Sequence, residues 1–301
     1  MSANWQNMTR ILVTGSNGQI GQELQFLASQ FPDFHFHFVS HHDLDITDKT
    51  LIDNLFHLQK IDYCINCAAY TAVDKAEREP ELAYHINVTG VKNLAEACEN
   101  TGATLIHFST DYVYHNAQNT PFKEDDPTHP QSVYAKTKLE GEAAAQAAAT
   151  KVMIIRTSWV YSSFGHNFVK TMLRLGAERP ALRVVFDQVG TPTYARDLAK
   201  TVLDIISKVT ENQVDRSLLR GVYHYSNEGV CSWYDFALAI FEIQGIDCQV
   251  FPIESKDYPT PAARPPYSVL NKSKIKSAFD LKIPHWRESL LHCLEVLKAA
   301  K

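Results

Sequence analysis

Tyr134 and Lys138 stand four residues apart in Tyr134-Ala135-Lys136-Thr137-Lys138, and no other pair in the chain is so well suited to delivering a proton to an oxyanion. A phenol of ordinary pKa, ~10, is a poor acid at neutral pH. An ammonium within a few ångströms favours the phenolate and lowers that value. Such a pair can protonate the alkoxide formed when a ketone is reduced. Alone, Y-x-x-x-K is an ordinary helix-surface pair. Its company gives it meaning: Ser109-Thr110-Asp111 supplies two hydroxyls and a carboxylate, and Gly15-x-x-Gly18-x-x-Gly21 supplies backbone amides that can approach a pyrophosphate.

These residues need elements to hold them. Ser132 is an N-cap candidate, and the Ala-, Lys- and Glu-rich run Val133–Ala149 predicts a helix with Tyr134 and Lys138 on one face. Arg10–Thr14 is an apolar, β-branched run that leads into the three glycines, then into a helical pattern carrying Leu24 and Leu27. Strand, glycine turn and helix form a dinucleotide-binding unit. The alternation continues with strands at Phe34–Val39, Ile61–Asn66, Ala103–Ser109 and Lys151–Arg156, and helices at Asp48–Lys60 and Glu81–Asn100. This rhythm predicts an α/β fold, a Rossmann-like doubly wound parallel sheet.

Ligands of such sheets bind beyond the carboxyl ends of the strands. The third strand ends in Cys67-Ala68-Ala69-Tyr70-Thr71, small residues that admit a cofactor, and the fifth ends in Thr157-Ser158-Trp159-Val160-Tyr161. Ser40-His41-His42-Asp43-Leu44-Asp45 follows the second strand and offers both acid, for ribose hydroxyls, and base, for a 2′-phosphate. NADPH and NADH both remain open at this point.

Composition sets the outer bounds. The chain has 301 residues, 45% of them hydrophobic and 21% charged, as in an ordinary globular protein. A net charge of -5 with no basic block argues against nucleic-acid binding. Met1–Met8 is polar with no apolar core, so no signal peptide is expected, and no apolar run reaches the ~20 residues of a membrane span. A cytoplasmic location is the expectation. Six cysteines then read as reduced residues, and Cys64-x-x-Cys67 lies in a strand whose alternation points the two thiols opposite ways. No zinc spacing surrounds the thirteen histidines, so no metal ligands are assigned.

Beyond about Gly165 aromatics and prolines become denser, and Lys256–Ser268 is a Pro-rich loop carrying Arg264. Helical or strand patterns recur at His166–Ala177, Leu182–Phe186 and Tyr194–Ser207, and polar Lys208–Arg220 is the only linker candidate. The expected organisation is a dinucleotide-binding domain over residues 8–164, with returning segments at about 190–228. A smaller C-terminal substrate-binding lobe takes residues 165–189 and 229–301.

These motifs resemble the extended short-chain dehydrogenase/reductase superfamily. Within it, Gly18-Gln19-Ile20-Gly21-x-Glu23-Leu24, Thr71-Ala72-Val73-Asp74-Lys75-Ala76-Glu77, Ser109-Thr110-Asp111-Tyr112-Val113 and Arg156-Thr157-Ser158-Trp159-Val160-Tyr161 resemble the dTDP-4-dehydrorhamnose reductases. Asn167-Phe168-x-x-Thr171-Met172 and Pro259-Thr260-Pro261-Ala262-x-Arg264-Pro265 do so too, and the similarity runs from about Thr9 to Leu297. The resemblance implies reduction of the C4 ketone of dTDP-4-dehydro-β-L-rhamnose to dTDP-L-rhamnose, for bacterial surface polysaccharide. It makes Tyr134 the proton donor, has Lys138 orient the nicotinamide ribose and lower the phenol pKa, and sets Thr110 on the C4 oxygen. Cofactor contacts are implied at Gly15, Gly18, Gln19, Ile20, Gly21, Asp45, Ile46, Ala68, Ala69, Tyr70 and Thr71, besides Tyr134 and Lys138. Sugar contacts are implied at Thr110, Asp111 and Trp159. Arg264 is the candidate for the diphosphate, because a guanidinium binds phosphate bidentately.

Two features depart from that pattern. Some members hold magnesium at a homodimer interface through Glu23 and acids on the helix after Pro192. Here that helix carries Arg196 and Lys200, which tells against Mg2+ and a metal-bridged homodimer. Cys67 stands where a small Ala is expected. The competing readings are a non-catalytic NADP-binding regulatory subunit, like the methionine adenosyltransferase β subunit, and a reductase or epimerase of another nucleotide sugar.

Overall fold

The computed structural model describes residues 8–299, so most of the polar start read as carrying no signal peptide lies outside the described residues. The apolar run near the start becomes strand β1 (Thr9–Thr14), followed by helix α1 (Gln19–Leu27), strand β2 (Phe34–Val39), helix α2 (Lys49–Gln59) and strand β3 (Tyr63–Asn66). Helix α2 is one residue shorter at each end than its pattern. The Asp48 side chain accepts from the Leu51 amide as N-cap, and Lys60 closes the helix in a left-handed conformation.

The next helical stretch is not the single regular helix that the pattern predicts. Helices α3 (Val73–Ala76) and α4 (Pro80–Tyr84) lead into a π-helical segment, His85–Gly90, before α5 (Val91–Thr101). Strand β4 (Thr104–Thr110), helix α6 (Val133–Ala148) and strand β5 (Val152–Thr157) follow. Ser132 caps α6 by accepting from the Ala135 amide at 3.2 Å.

The remaining elements are β6 (Val160–Tyr161), α7 (Phe168–Glu178), β7 (Ala181–Val185), β8 (Val189–Gly190), β9 (Thr193–Tyr194), α8 (Ala195–Thr210) and β10 (Gly221–His224). The chain then forms β11 (Cys231–Ser232), α9 (Trp233–Gln244), β12 (Gln249–Ile253), α10 (Ser273–Phe279) and α11 (Trp286–Ala299). The main sheet is six-stranded and parallel, in the order β2-β1-β3-β4-β5-β10.

Both sheet faces are covered. On one, Ile11, Val13 and Ile106 pack with Leu24 of α1, Leu198 and Val202 of α8 and Phe279 of α10. On the other, Leu12, Cys64 and Leu105 pack with Ile52 of α2, Leu94 of α5 and Ala145 of α6. Each wholly buried Leu or Ile stabilises the fold by roughly 1.5–3 kcal/mol, so this double burial is what keeps the strand ends in place.

Lys208–Arg220, the expected linker, is something else. Its first residues finish α8, Arg216–Leu218 makes a single 3-10 turn, and the segment delivers the chain into β10 of the same sheet. Its polar composition reflects an exposed helix-to-strand turn. A separate core gathers Tyr161, Met172, Leu182, Phe236, Trp286 and Leu290, with β7 and β12 paired in parallel beside it. Among the described residues, no helix is long and apolar enough to cross a membrane.

Candidate active site

The glycine turn is built by local geometry. Gly15 has φ +63°, and a Cβ there would lie 2.5 Å from the Ala68 amide nitrogen, so the loop tolerates no side chain at that point. Its carbonyl accepts from the Gly18 amide at 2.9 Å, and α1 starts directly afterwards with no side-chain cap. Its first amides are therefore free to meet an anion. A groove of about 370 Å³ runs beside it, lined by Gly15, Gly18, Asp45, Ile46, Ala68 and Ala69, with His41 and His42 at its rim. The fold thus brings together glycine-turn, second-strand and third-strand residues that the sequence assigned to a dinucleotide. The shape and free amides fit that group, which when bound supplies hydride.

Other assigned residues brace this groove. Gln19 accepts from Asn167 Nδ2 at 3.0 Å, tying the turn to the segment after β6. The Tyr70 backbone is held at both ends by Asn87, whose Oδ1 accepts from the Tyr70 amide at 2.9 Å and whose Nδ2 donates to the Tyr70 carbonyl at 3.2 Å. Asn87 Nδ2 also reaches Thr137 Oγ1 at 3.1 Å, which couples the cofactor side to α6.

Tyr134 and Thr110 meet at the carboxyl end of β4. The Thr110 hydroxyl lies against the Tyr134 phenol and favours its charged form, and the Tyr112 ring stands edge-on to Tyr134 at 6.0 Å. Thr110 Oγ1 also receives the Tyr112 amide at 3.2 Å, so the strand end fixes the hydroxyl. The electrostatics differ from the sequence expectation. Burial pushes the Tyr134 phenol up to about 12, against the pull of Thr110 and with a further push from Asp111. Burial also drives Lys138 down to about 8, with Glu142 opposing.

Burial, Thr110 and Asp111 are the influences on the phenol in this structure, and Lys138 makes its contacts elsewhere. Its Nζ donates to the Phe108 carbonyl at 2.7 Å and lies 3.3 Å from His107 Nε2, so its charge is directed into the protein. The i, i+4 spacing placed both residues on one helix face, but spacing cannot say which way a long side chain turns.

The substrate-side residues divide. Asp111 is buried, its Oδ1 accepting from Thr110 Oγ1 at 3.2 Å, while Oδ2 lacks a partner of good geometry although Ser268 lies against the carboxyl. Burial pushes it up to about 7. Trp159 sits at φ +46°, unusual for a bulky residue, and stacks on Trp233 at 3.6 Å. Arg264, expected to wait for a diphosphate, is instead paired bidentately with Asp74 at 2.8 and 3.1 Å. Asp74 accepts from the Ala262 amide as well, so it clasps the Pro-rich loop to α3.

Glu23 offers a direct test of magnesium. It is wholly buried, its Oε2 accepting from Arg196 Nε at 2.7 Å and its Oε1 from Ser162 Oγ at 2.6 Å. The Arg196 guanidinium lies over the Phe26 ring at 4.0 Å. Both carboxylate oxygens and the charge are already satisfied within one chain, and this donor set does not fit a divalent ion. Arg196→Met is expected to leave Glu23 charged and unpaired, costing about 3–5 kcal/mol. Thermal unfolding with and without added Mg2+ checks this: wild type should not respond to the ion, and a wild-type melting point that rises with Mg2+ would contradict it.

The sequence reading missed Asn87, Trp233 and Asp74. Asn87 left a faint signal, a polar residue in an apolar helical run, but its partners lie far off in sequence.

A parallel sheet with a glycine turn at its first strand and a Tyr/Lys pair facing the fourth defines a dinucleotide-dependent oxidoreductase of the extended short-chain type. The chain belongs to the dTDP-4-dehydrorhamnose reductase family, whose model, described as the RmlD substrate binding domain, matches residues 8–299. It is 40% identical over 290 residues to the dTDP-4-dehydrorhamnose reductase of Aggregatibacter actinomycetemcomitans, covering 94% of this chain and 97% of that one. The spore coat polysaccharide biosynthesis protein SpsK of Bacillus subtilis is 38% identical, covering 97% and 99%. The crystal structure of dTDP-4-dehydrorhamnose reductase from Bacillus anthracis in complex with NADP is 36% identical, with a TM-score of 0.90 over 96% of this chain and 99% of that one.

Proposed function

We infer that the chain reduces the C4 ketone of dTDP-4-dehydro-β-L-rhamnose to dTDP-L-rhamnose with NADPH or NADH, supplying a sugar donor for surface polysaccharide. The observation that carries this reading is Thr110 set against the Tyr134 phenol at the end of β4, the strand next to β3, whose own end lines the glycine-turn groove. Thr110 and Tyr134 hold the ketone oxygen between two hydroxyls, and Tyr134 gives its proton as charge builds there. Because the phenol starts well above neutral, it stays protonated until that charge appears. Asp111 accepts from a sugar hydroxyl through its unpartnered oxygen, and Trp159 walls the sugar. Arg264 meets the diphosphate by sharing or exchanging its Asp74 contact.

Each chain carries the whole set of site residues, so turnover requires no second copy. The reaction belongs in the cytoplasm, where nucleotide sugars and reduced dinucleotides are made, and the six free cysteines accord with that compartment. A non-catalytic subunit would have no use for the Thr110–Tyr134 pair.

Incubation of the protein with the 4-keto sugar nucleotide and each reduced dinucleotide tests the assignment. One cofactor oxidised per dTDP-L-rhamnose formed is expected. Sugar product without net cofactor oxidation would reveal an epimerase, and no product with any nucleotide sugar would overturn the enzyme reading.

A further inference from the structure

Three polar side chains cross the main sheet in one row. Thr14 on β1 is the register partner of Asn66 on β3, and Asn66 is the register partner of His107 on β4. All three are buried, as is Lys138, at whose Nζ the row ends. Buried polar groups in strands otherwise made of Ile, Leu and Val call for full hydrogen bonding.

Counting donors fixes the protons along the row. Asn66 Oδ1 accepts from the Thr14 hydroxyl at 2.7 Å and from the Ala68 amide at 3.1 Å, so the amide orientation is set. Asn66 Nδ2 therefore faces His107 Nδ1, 3.0 Å away, as a donor. Nδ1 must accept, and in a neutral imidazole the proton then sits on Nε2. Burial, and next the Lys138 charge, hold His107 well below its usual range, so it is neutral.

The Nε2–H points at Lys138 Nζ, 3.3 Å away. An ammonium has no lone pair to receive it, so this N–H opposes the charged form of Lys138, whereas an amine accepts there while donating to the Phe108 carbonyl at 2.7 Å. The other charged group facing Lys138 is Glu142, one turn further along α6, and its carboxylate is already bound by Ser109 and Arg156.

We propose that His107, locked in its Nε2–H tautomer by Asn66, is a positioning residue that holds Lys138 against the Phe108 carbonyl and makes it give up a proton more readily. The proposal rests on the reductase reading for its purpose, since Lys138 is the partner of Tyr134, but not for its test. Through Asn66 the row also reaches the Ala68 turn and, through Thr14, the residue before Gly15. The groove and the lysine are thereby set by one buried network.

The test reads Lys138 directly, by NMR titration of lysine side chains labelled at Nζ, with Lys138 assigned by its absence in Lys138→Met. His107→Asn keeps an acceptor for Asn66 Nδ2 and removes the Nε2–H. The Lys138 titration should then move upward by about one unit, a tenfold gain in proton affinity. An unchanged titration in that variant would overturn the proposal. In unsubstituted protein, imidazole nitrogen shifts should show His107 protonated at Nε2 alone from about pH 6 to about pH 9. The opposite tautomer, or a charged ring, would equally overturn it, and this second reading does not depend on the variant's folding. Neither measurement involves turnover, so failure of the reductase assignment would be seen separately in the sugar-nucleotide assay.

Discussion

Tyr134→Phe is expected to lower kcat on the 4-keto sugar nucleotide by ~10²–10⁴-fold, because it removes the acid. The ring keeps its edge-on contact with Tyr112, so the packing at the end of β4 survives. Thermal stability should accordingly stay within about 1 kcal/mol of wild type, since a single hydroxyl is removed and the ring stays. Thr110→Val is the companion change: it deletes the hydroxyl that steadies the phenol and should reduce kcat while Tyr134 remains. Steady-state kinetics with dinucleotide titration separates these effects. If Tyr134→Phe turned over at the wild-type rate, another group would have to supply the proton.

The second large effect concerns stability. Glu142 is buried and binds Arg156 through both oxygens, with Arg156 Nη2 at 2.7 Å and Nε at 3.0 Å, and it also accepts from the Ser109 hydroxyl. Arg156 continues to Tyr114, whose hydroxyl meets His224 Nε2 at 2.9 Å. Glu142→Ala would strand a buried guanidinium, at a cost of about 3–5 kcal/mol. Against a total stability of roughly 5–15 kcal/mol, that is a melting point lower by on the order of 10 °C. Replacing both partners, as in Glu142→Leu with Arg156→Met, should recover much of the loss, since no charge is then left unpaired. A single variant that melted with wild type would show that the pair bears no structural load.

Local pattern was enough for much of this architecture. The apolar run before Gly15, the Ser132 cap and the Ala-rich helix behind it depend on neighbours a few residues away, and they fall within a residue or two of where the chain places them. Thr110 was legible for the same reason, because it ends a strand. The row from Thr14 to His107 was not, because it exists only once three strands adopt a register, and His107 alone in Leu-Ile-His-Phe looks like one more core residue. Arg264 was read as a free cation because its partner, Asp74, lies 190 residues earlier. Lys208–Arg220 looked like a domain connector because an exposed turn and a linker share the same polar composition.

The π-helical segment His85–Gly90 has a consequence for how the chain tolerates change in length. A π-turn carries one residue more than the α-helical path it interrupts, which advances the downstream face by about 100° around the axis. Within the segment, that phase turns Asn87 toward Tyr70 and Thr137; downstream, it turns Leu94 and Cys98 onto the sheet. The extra residue works as a coupling between two gears, and dropping it would satisfy either the cofactor turn or the core, never both.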